Sequence, residues 1–409
     1  MHLSVLLVCA ALQPLSPTGV LPHLLPGFGA QGPALGDEVT IETYDFAVRA
    51  PADCTAKPMV APALVKFEQK KDGLNVVLRV FDPPQAATVG TCVENLMKYF
   101  TREWPGHRVL RDEEMAVGDR KGRLIVVEWK DSVEARVVVP RGLRRFYLIE
   151  TGGPAKRVDD VLALLRAVAG SVKIGLPLSK AEEEALSRRP ALTMQPSLAR
   201  EEWARVMVQS NRIGWQRTVI REEKLDGAAA YGYESEVVLT GHDGRSTRKS
   251  RGAFTPDGAS QTCEFELLIE EKAGRHAWRE TATLKGGDVS VVRELEGVRS
   301  ESRFRVPEGT FLVEAADVAR RLIAQGPKGS CAMRVLETFM DEPRLDMIDI
   351  GSPERPSGAS ADVVLLLVKV DRSRFEHQYY EVGGGLWKVV PAGKSVTSIE
   401  RCTKDEATK

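Results

Sequence analysis

Four histidines follow the first 36 residues: His107, His242, His276 and His377. His377, in the stretch FEHQYY, shares the second half of the chain with Cys331, and a cysteine with a histidine base is the minimum for thiol-based acyl transfer. On a strand, alternation sends His377 and Tyr379 to one face and Glu376, Gln378 and Tyr380 to the other. Glu376 therefore cannot orient the ring of its neighbour, and no Gly-x-Ser-x-Gly elbow supplies another nucleophile. A hydrolase built on Cys331 or on an acidic cluster with His377 stays an alternative only. That cluster is Asp341, Glu342, Asp346 and Asp349 in MDEPRLDMID. It lacks the D-x-D-x-D-G order of an EF-hand, and no HExxH pair of histidines exists, so its simpler reading is surface carboxylates bridging two strands. No catalytic residue, metal ligand or cofactor site is expected.

Gly393-Lys394-Ser395 ends like a nucleotide-binding P-loop, but the glycine required five positions earlier is Lys388. The β-branched residues that follow favour a hairpin turn rather than the helix N-terminus that holds phosphates. EVGGGLW has no dinucleotide spacing and reads as a turn. The ligand-binding candidates are aromatic: Trp215, Tyr231, Tyr233, Trp278 and Trp387, on different strands of the second half. Together they could line one concave sheet face that holds a lipid-like or peptide ligand. The competing reading is that they fill the core under a helix.

Of 409 residues, 43% are hydrophobic and 28% charged, with Lys plus Arg equal to Asp plus Glu at 57 each. That length suits two domains. A zero net charge argues against a nucleic-acid partner, which needs a basic excess. The basic run RSTRKSR (residues 245–251) would divide between both faces of a strand. Residues 1–36 contain no Asp, Glu, Lys or Arg, and LSVLLVCAAL within them matches a secretory h-region while being too short for a membrane span. The expectation is an exported protein, periplasmic or extracellular. Its partner would be a lipid-like ligand or an envelope protein, with no integral span. If Cys9 leaves with the leader, five scattered cysteines remain, without CxxC spacing; Cys92 and Cys263 read as core thiols.

These residues sit in strands separated by few helices. LNVVLRVF alternates with period two, and then Val89, Cys92, Val93, Leu96, Met97, Phe100 and Trp104 recur at helical spacing. RLIVVEWK and SVEARVVVP form a tight hairpin, and Val158, Val161, Leu162, Leu165 and Val168 stripe a second helix. Residues 176–200 shift to a charged, Pro-bounded composition and read as a linker. Beyond it strands dominate, opened by a hairpin at Asp226-Gly227 and interrupted by one helix striped with Leu312, Val313, Ala316, Ala319, Leu322 and Ile323.

The sequence therefore predicts an α+β protein in four parts. Residues 1–36 are a leader. Residues 37–175 form an antiparallel sheet with two helices, an α/β/α sandwich. Residues 176–200 are the linker, and 201–409 a large antiparallel half-barrel with one packed helix. YDFAVRAP, VENLMKYF, the hairpin and VDDVLALLRAVAGSVKI together resemble the PsbP-like superfamily. IGWQRTVIREEKLDGAAAYGYESEV and GGGLWKVV resemble LolA-like and transglutaminase-associated β-rich envelope domains. Both resemblances imply non-catalytic binding or assembly modules and carry no catalytic residues over. The leading functional expectation is an exported non-catalytic cell-envelope binding or scaffolding protein. A purely structural module that pairs its sheet edges with a partner strand is a further alternative.

Overall fold

The computed structural model describes residues 33–59, 62–69, 74–83, 87–141, 145–189, 191–209, 211–241, 244–272, 274–295, 297–340, 342–355, 361–370, 374–391 and 397–408. The glycine–lysine–serine turn at 393–395, the h-region, Cys9, His242 and Asp341 lie outside the described residues. The chain divides into two compact units at Pro177 and Leu178.

In the first unit the strands are β1 (Leu35–Ile41), β2 (Phe46–Pro51), β3 (Cys54–Pro58), β4 (Ala63–Gln69), β5 (Asn75–Phe81), β6 (Arg108–Val117), β7 (Arg120–Trp129), β8 (Ser132–Pro140), β9 (Phe146–Pro154) and β10 (Lys173–Ile174). Helix α1 (Val89–Glu103) follows β5 and α2 (Val158–Gly170) follows β9. Seven strands form one antiparallel sheet in the order β3-β4-β5-β9-β8-β7-β6, and β1-β2-β10 form another. Thr88 caps α1, its Oγ1 accepting from the Thr91 N–H at 3.1 Å. Leu96, Tyr99 and Phe100 of α1 then pack on Ile125, Val127 and Val138. The opposite face, through Leu124, Val126, Val137 and Ile149, meets α2 together with Phe46 and Val48 of β2.

The α+β class expected from the sequence is overturned here. Among the described residues there are 25 strands and five α-helices, in three sheets, so the protein is mostly β. The layer that holds α2 is shared with a second sheet rather than being helical. VTIETYDFAVRAP, which reads as one strand, is two: Asp45 takes a left-handed φ of 53° and folds β1 back on β2.

In the second unit α3 (Lys180–Ser187) precedes β11 (Arg200–Val208), β12 (Asn211–Leu225), β13 (Ala228–Thr240), β14 (Gly244–Phe254), β15 (Ser260–Glu271), β16 (Gly274–Lys285), β17 (Asp288–Leu295), β18 (Val298–Arg305) and β19 (Thr310–Leu312). After α4 (Val313–Ile323) come β20 (Gly329–Leu336), β21 (Arg344–Ile350), β22 (Val363–Val370), β23 (Arg374–Glu381), β24 (Leu386–Pro391), β25 (Thr397–Cys402) and α5 (Lys404–Thr408). All fifteen strands join one sheet, β18-β17-β16-β15-β14-β13-β12-β11-β25-β24-β23-β22-β21-β20-β19. Only β19 and β20 run parallel, because α4 connects them as a crossover.

The sheet curls around α4, whose Ala315, Ala316, Ala319, Leu322 and Ile323 are buried. The curl brings β19 against the inner side of β15, where the Gln261 carboxamide donates to Thr310 O at 2.6 Å and accepts from Leu312 N at 2.8 Å. On the outer face α3 sets Ala185 against Ala332 and Leu345.

Candidate functional site

Antiparallel register decides which side chains share a face, because paired residues lie on the same side of a sheet. Tyr231 pairs with Phe254, and Ile220 with Tyr233, so both tyrosines point inward toward α4. Their rings form one cluster with Phe254 and Phe311. Tyr231 is fully buried; its hydroxyl accepts from Gln195 N and donates to Thr193 O at 3.4 Å, so residues 193–195 lie against that face. Trp278 is also inward, in a second cluster with Phe265 and Phe339, at centroid distances of 5.5 and 5.9 Å. Trp215 lies on the outer face against Trp203 at 5.4 Å, and Trp387 packs on Tyr379 at 5.8 Å. The five aromatics therefore belong to four separate ring groups on both sides of the sheet.

The rest of the inner face is filled by buried ion pairs that hydropathy alone would have turned outward. Arg320 and Arg321 on α4 are 1% and 5% exposed. Arg320 reaches Asp346 at 2.5 Å and Asp317 at 2.7 Å, while Arg321 reaches Glu202 at 2.5 Å. Arg344 binds Asp346 at 2.9 Å from the other side. Burial alone would raise the Asp346 carboxyl, but the Arg344 and Arg320 guanidiniums overcome it and hold it below 3.8. Glu280 takes a hydroxyl from Thr338 and a guanidinium from Arg293 at 2.9 Å. Here burial wins, and the carboxyl is raised. Desolvation offsets most of the attraction in such buried pairs, so their net stabilisation is small even though losing one partner is costly.

The catalytic alternatives lose their geometry. Cys331 shares an inward row with Ile348, Val368 and Glu376, whereas Ser330, Asp349, Leu367 and His377 form the adjacent outward row. The sheet itself separates Cys331 from His377. Burial pushes the Cys331 thiol up to about 11, which leaves it a poor nucleophile. The acidic cluster is dispersed as well: Asp346 is buried under α4, and Asp349 is outside, accepting from Ser330 Oγ at 2.5 Å. Among the described residues no group of three or more His, Cys, Asp or Glu could hold a metal ion. Cys54, Cys92, Cys263, Cys331 and Cys402 are free thiols.

The outer face of β12–β16 is an open dish of about 520 Å³. Its lining changes sign strand by strand: Arg217 on β12, Glu234 and Glu236 on β13, Lys249 and Arg251 on β14, Glu264 and Glu266 on β15, Arg279 on β16. Cross-strand pairs join the rows, Arg251–Glu264 at 2.6 Å, Arg279–Glu266 at 3.1 Å and Lys249–Glu236 at 3.5 Å. At one border Arg217 and Lys404 lie over the Trp203 ring at 6.0 and 5.7 Å. Of these charged residues only Lys249 and Arg251, in the basic run RSTRKSR, stand out in the sequence, although a signal for the others existed. The two-residue turn at Asp226-Gly227 fixes the β12–β13 register, which pairs Arg217 with Glu236 and Trp215 with Val238. RSTRKSR behaves as its spacing implies: Arg248 goes inward to Glu314 at 2.9 Å, while Lys249 and Arg251 go outward.

No protein-family model matches the chain, and no curated protein matches it. Among solved structures it is loosely similar to a β-barrel-like protein of the domain of unknown function DUF1849 from Brucella abortus. The identity is 8%, with 49% of this chain and 93% of that chain covered at a TM-score of 0.36. A protein from Bacteroides thetaiotaomicron VPI-5482 matches at 9% identity over 37% of this chain and 57% of its own, with a TM-score of 0.26. The T6SS immunity protein TplEi from Pseudomonas aeruginosa matches at 11% identity over 90% and 88%, with a TM-score of 0.17. Scores this low do not establish a shared fold.

Proposed function

We propose that the protein is an exported, non-catalytic binding or scaffolding protein of the cell envelope, and that it engages a peptide-like partner through the outer surface of the fifteen-stranded sheet. One observation carries this reading: the inner face is filled by α4, residues 193–195 and Phe339, while the opposite face presents an open dish of about 520 Å³ lined by acidic and basic rows. A polypeptide offers charges and amides to such a surface, whereas an acyl chain would have to lie across rows of charged side chains without pairing them. The short apolar run LSVLLVCAAL near the N-terminus supports export. No helix among the described residues is long and apolar enough to cross a membrane.

Native mass spectrometry of the protein from its own envelope fraction, before and after denaturation, tests both parts. A released peptide, on a chain shortened at its N-terminus, is the expected result. A released lipid, or a full-length chain found in the cytosol, would overturn it.

A further inference from the structure

The two ends of the fifteen-stranded sheet are finished differently. At one end β19 is completely buried, and its backbone is bonded by the Gln261 carboxamide as described above. At the other end β18 pairs only with β17, through eight consecutive pairs without a bulge or a proline. Arg299, Ser300, Glu301, Arg303 and Arg305 are exposed, so the outer face of β18 is open, while Ser302 and Phe304 on its other face are half-buried; no strand pairs with its far edge among the described residues. An uninterrupted, uncovered edge is a template for another strand.

The charge pattern says which strand. The sign alternation of the outer face continues past the dish, with Glu294 on β17 opposite Arg299 on β18. It stops on a row of three arginines and one acid: Arg299 is held by Glu301 on the same strand at 3.3 Å, which leaves Arg303 and Arg305 as the excess positive charge. Arg303 has no carboxylate partner among the described residues, and Arg305 reaches only Asp288, at 3.9 Å. The next strand in this series would be acidic. A second copy is a poor occupant, because antiparallel registers aligning most of two β18 strands oppose arginine to arginine.

We propose that β18 is a docking edge for an extended acidic segment of a partner polypeptide. The segment adds as one more antiparallel strand, with its Glu or Asp side chains on the outer face against Arg303 and Arg305 and in competition with Glu301 for Arg299. The edge lies outside the dish, so either surface can work without the other.

The test uses the full chain and a fluorescein-labelled (Glu-Thr)5 peptide at low salt, with (Lys-Thr)5 as counterpart. Anisotropy reports binding, and hydrogen exchange reports where it occurs. The expected result is binding of the Glu peptide, with the amides of β18 protected. A variant carrying Arg299→Glu and Arg303→Glu, both exposed, weakens that binding about tenfold or more and shifts preference to the Lys peptide. Anisotropy without protection of β18 would overturn the proposal, as would equal binding by the variant or no binding at millimolar peptide.

Discussion

Gln261 does for Leu312 what a neighbouring strand would do. Its side chain accepts from the Leu312 N–H at 2.8 Å and donates to the Thr310 carbonyl at 2.6 Å, so one carboxamide replaces a rung of ladder and closes the curl of the sheet. Gln261 is 1% exposed, and water cannot take over these bonds. Gln261→Leu leaves a buried N–H and a buried carbonyl unpaired, for an expected loss of about 2–4 kcal/mol. Urea unfolding should read that loss, with faster exchange of the Leu312 amide. An unchanged midpoint would mean that β19 is held by packing alone.

The Arg320–Asp346 pair is fully enclosed, so removing one partner should cost far more than removing both. Asp346→Asn takes from Arg320 its closest carboxylate and leaves it Asp317, for an expected loss of about 3 kcal/mol. Arg320→Met combined with Asp346→Leu should recover part of it, because neither charge of the pair remains and Arg344, which loses Asp346, keeps Glu337. Thermal unfolding of the single and double variants separates these outcomes.

The same carboxylate gives the acid limb of stability a definite sign. Asp346 is held below 3.8 in the fold, by guanidiniums that overcome its burial. Its contribution is present above pH 3.8 and is lost as pH falls through the folded value. Asp346→Asn should therefore flatten the decline of stability below pH 4. Denaturant midpoints between pH 5 and pH 2 check this, and parallel curves for the two proteins would refute it.

Cys331 should behave as an inert core thiol. It is 2% exposed, with a thiol pushed up by burial to about 11. Iodoacetamide at pH 8 should leave Cys331 unmodified in the folded protein and label it after unfolding. Rapid labelling in the native state would restore the nucleophile reading that the sheet register removes.

Much of the strand framework was legible, because hairpin turns and period-two runs are local signals. Asp226 and Gly227, with φ of 52° and 84°, form the tight turn their sequence announces. The stripes of α2 and α4 were equally plain, since Val161, Leu165, Ala319 and Leu322 follow helical spacing into the core. Arg320 and Arg321 were not: a hydropathy pattern turns such residues outward, and only the distant Asp346 and Glu202 make their burial tolerable. The break at Asp45 was hidden because aspartate is not an obligatory turn residue. The shared aromatic face failed through register. Within β12 and β13 the parity is readable, but it places Trp215 opposite Val238 and away from Tyr231.

Alternating rows of charge also set how far this surface can be felt. Strands repeat at about 4.8 Å, so a pattern that changes sign with every strand has a period of about 9.6 Å, and its field fades over about 1.5 Å above the sheet. That is less than one layer of water. The dish therefore exerts no long-range pull on an approaching molecule, and its pattern is read only on contact. Cancellation needs a neighbour on both sides, and the arginines of β18 have one on a single side. The open edge is thus where this face projects a field into solvent.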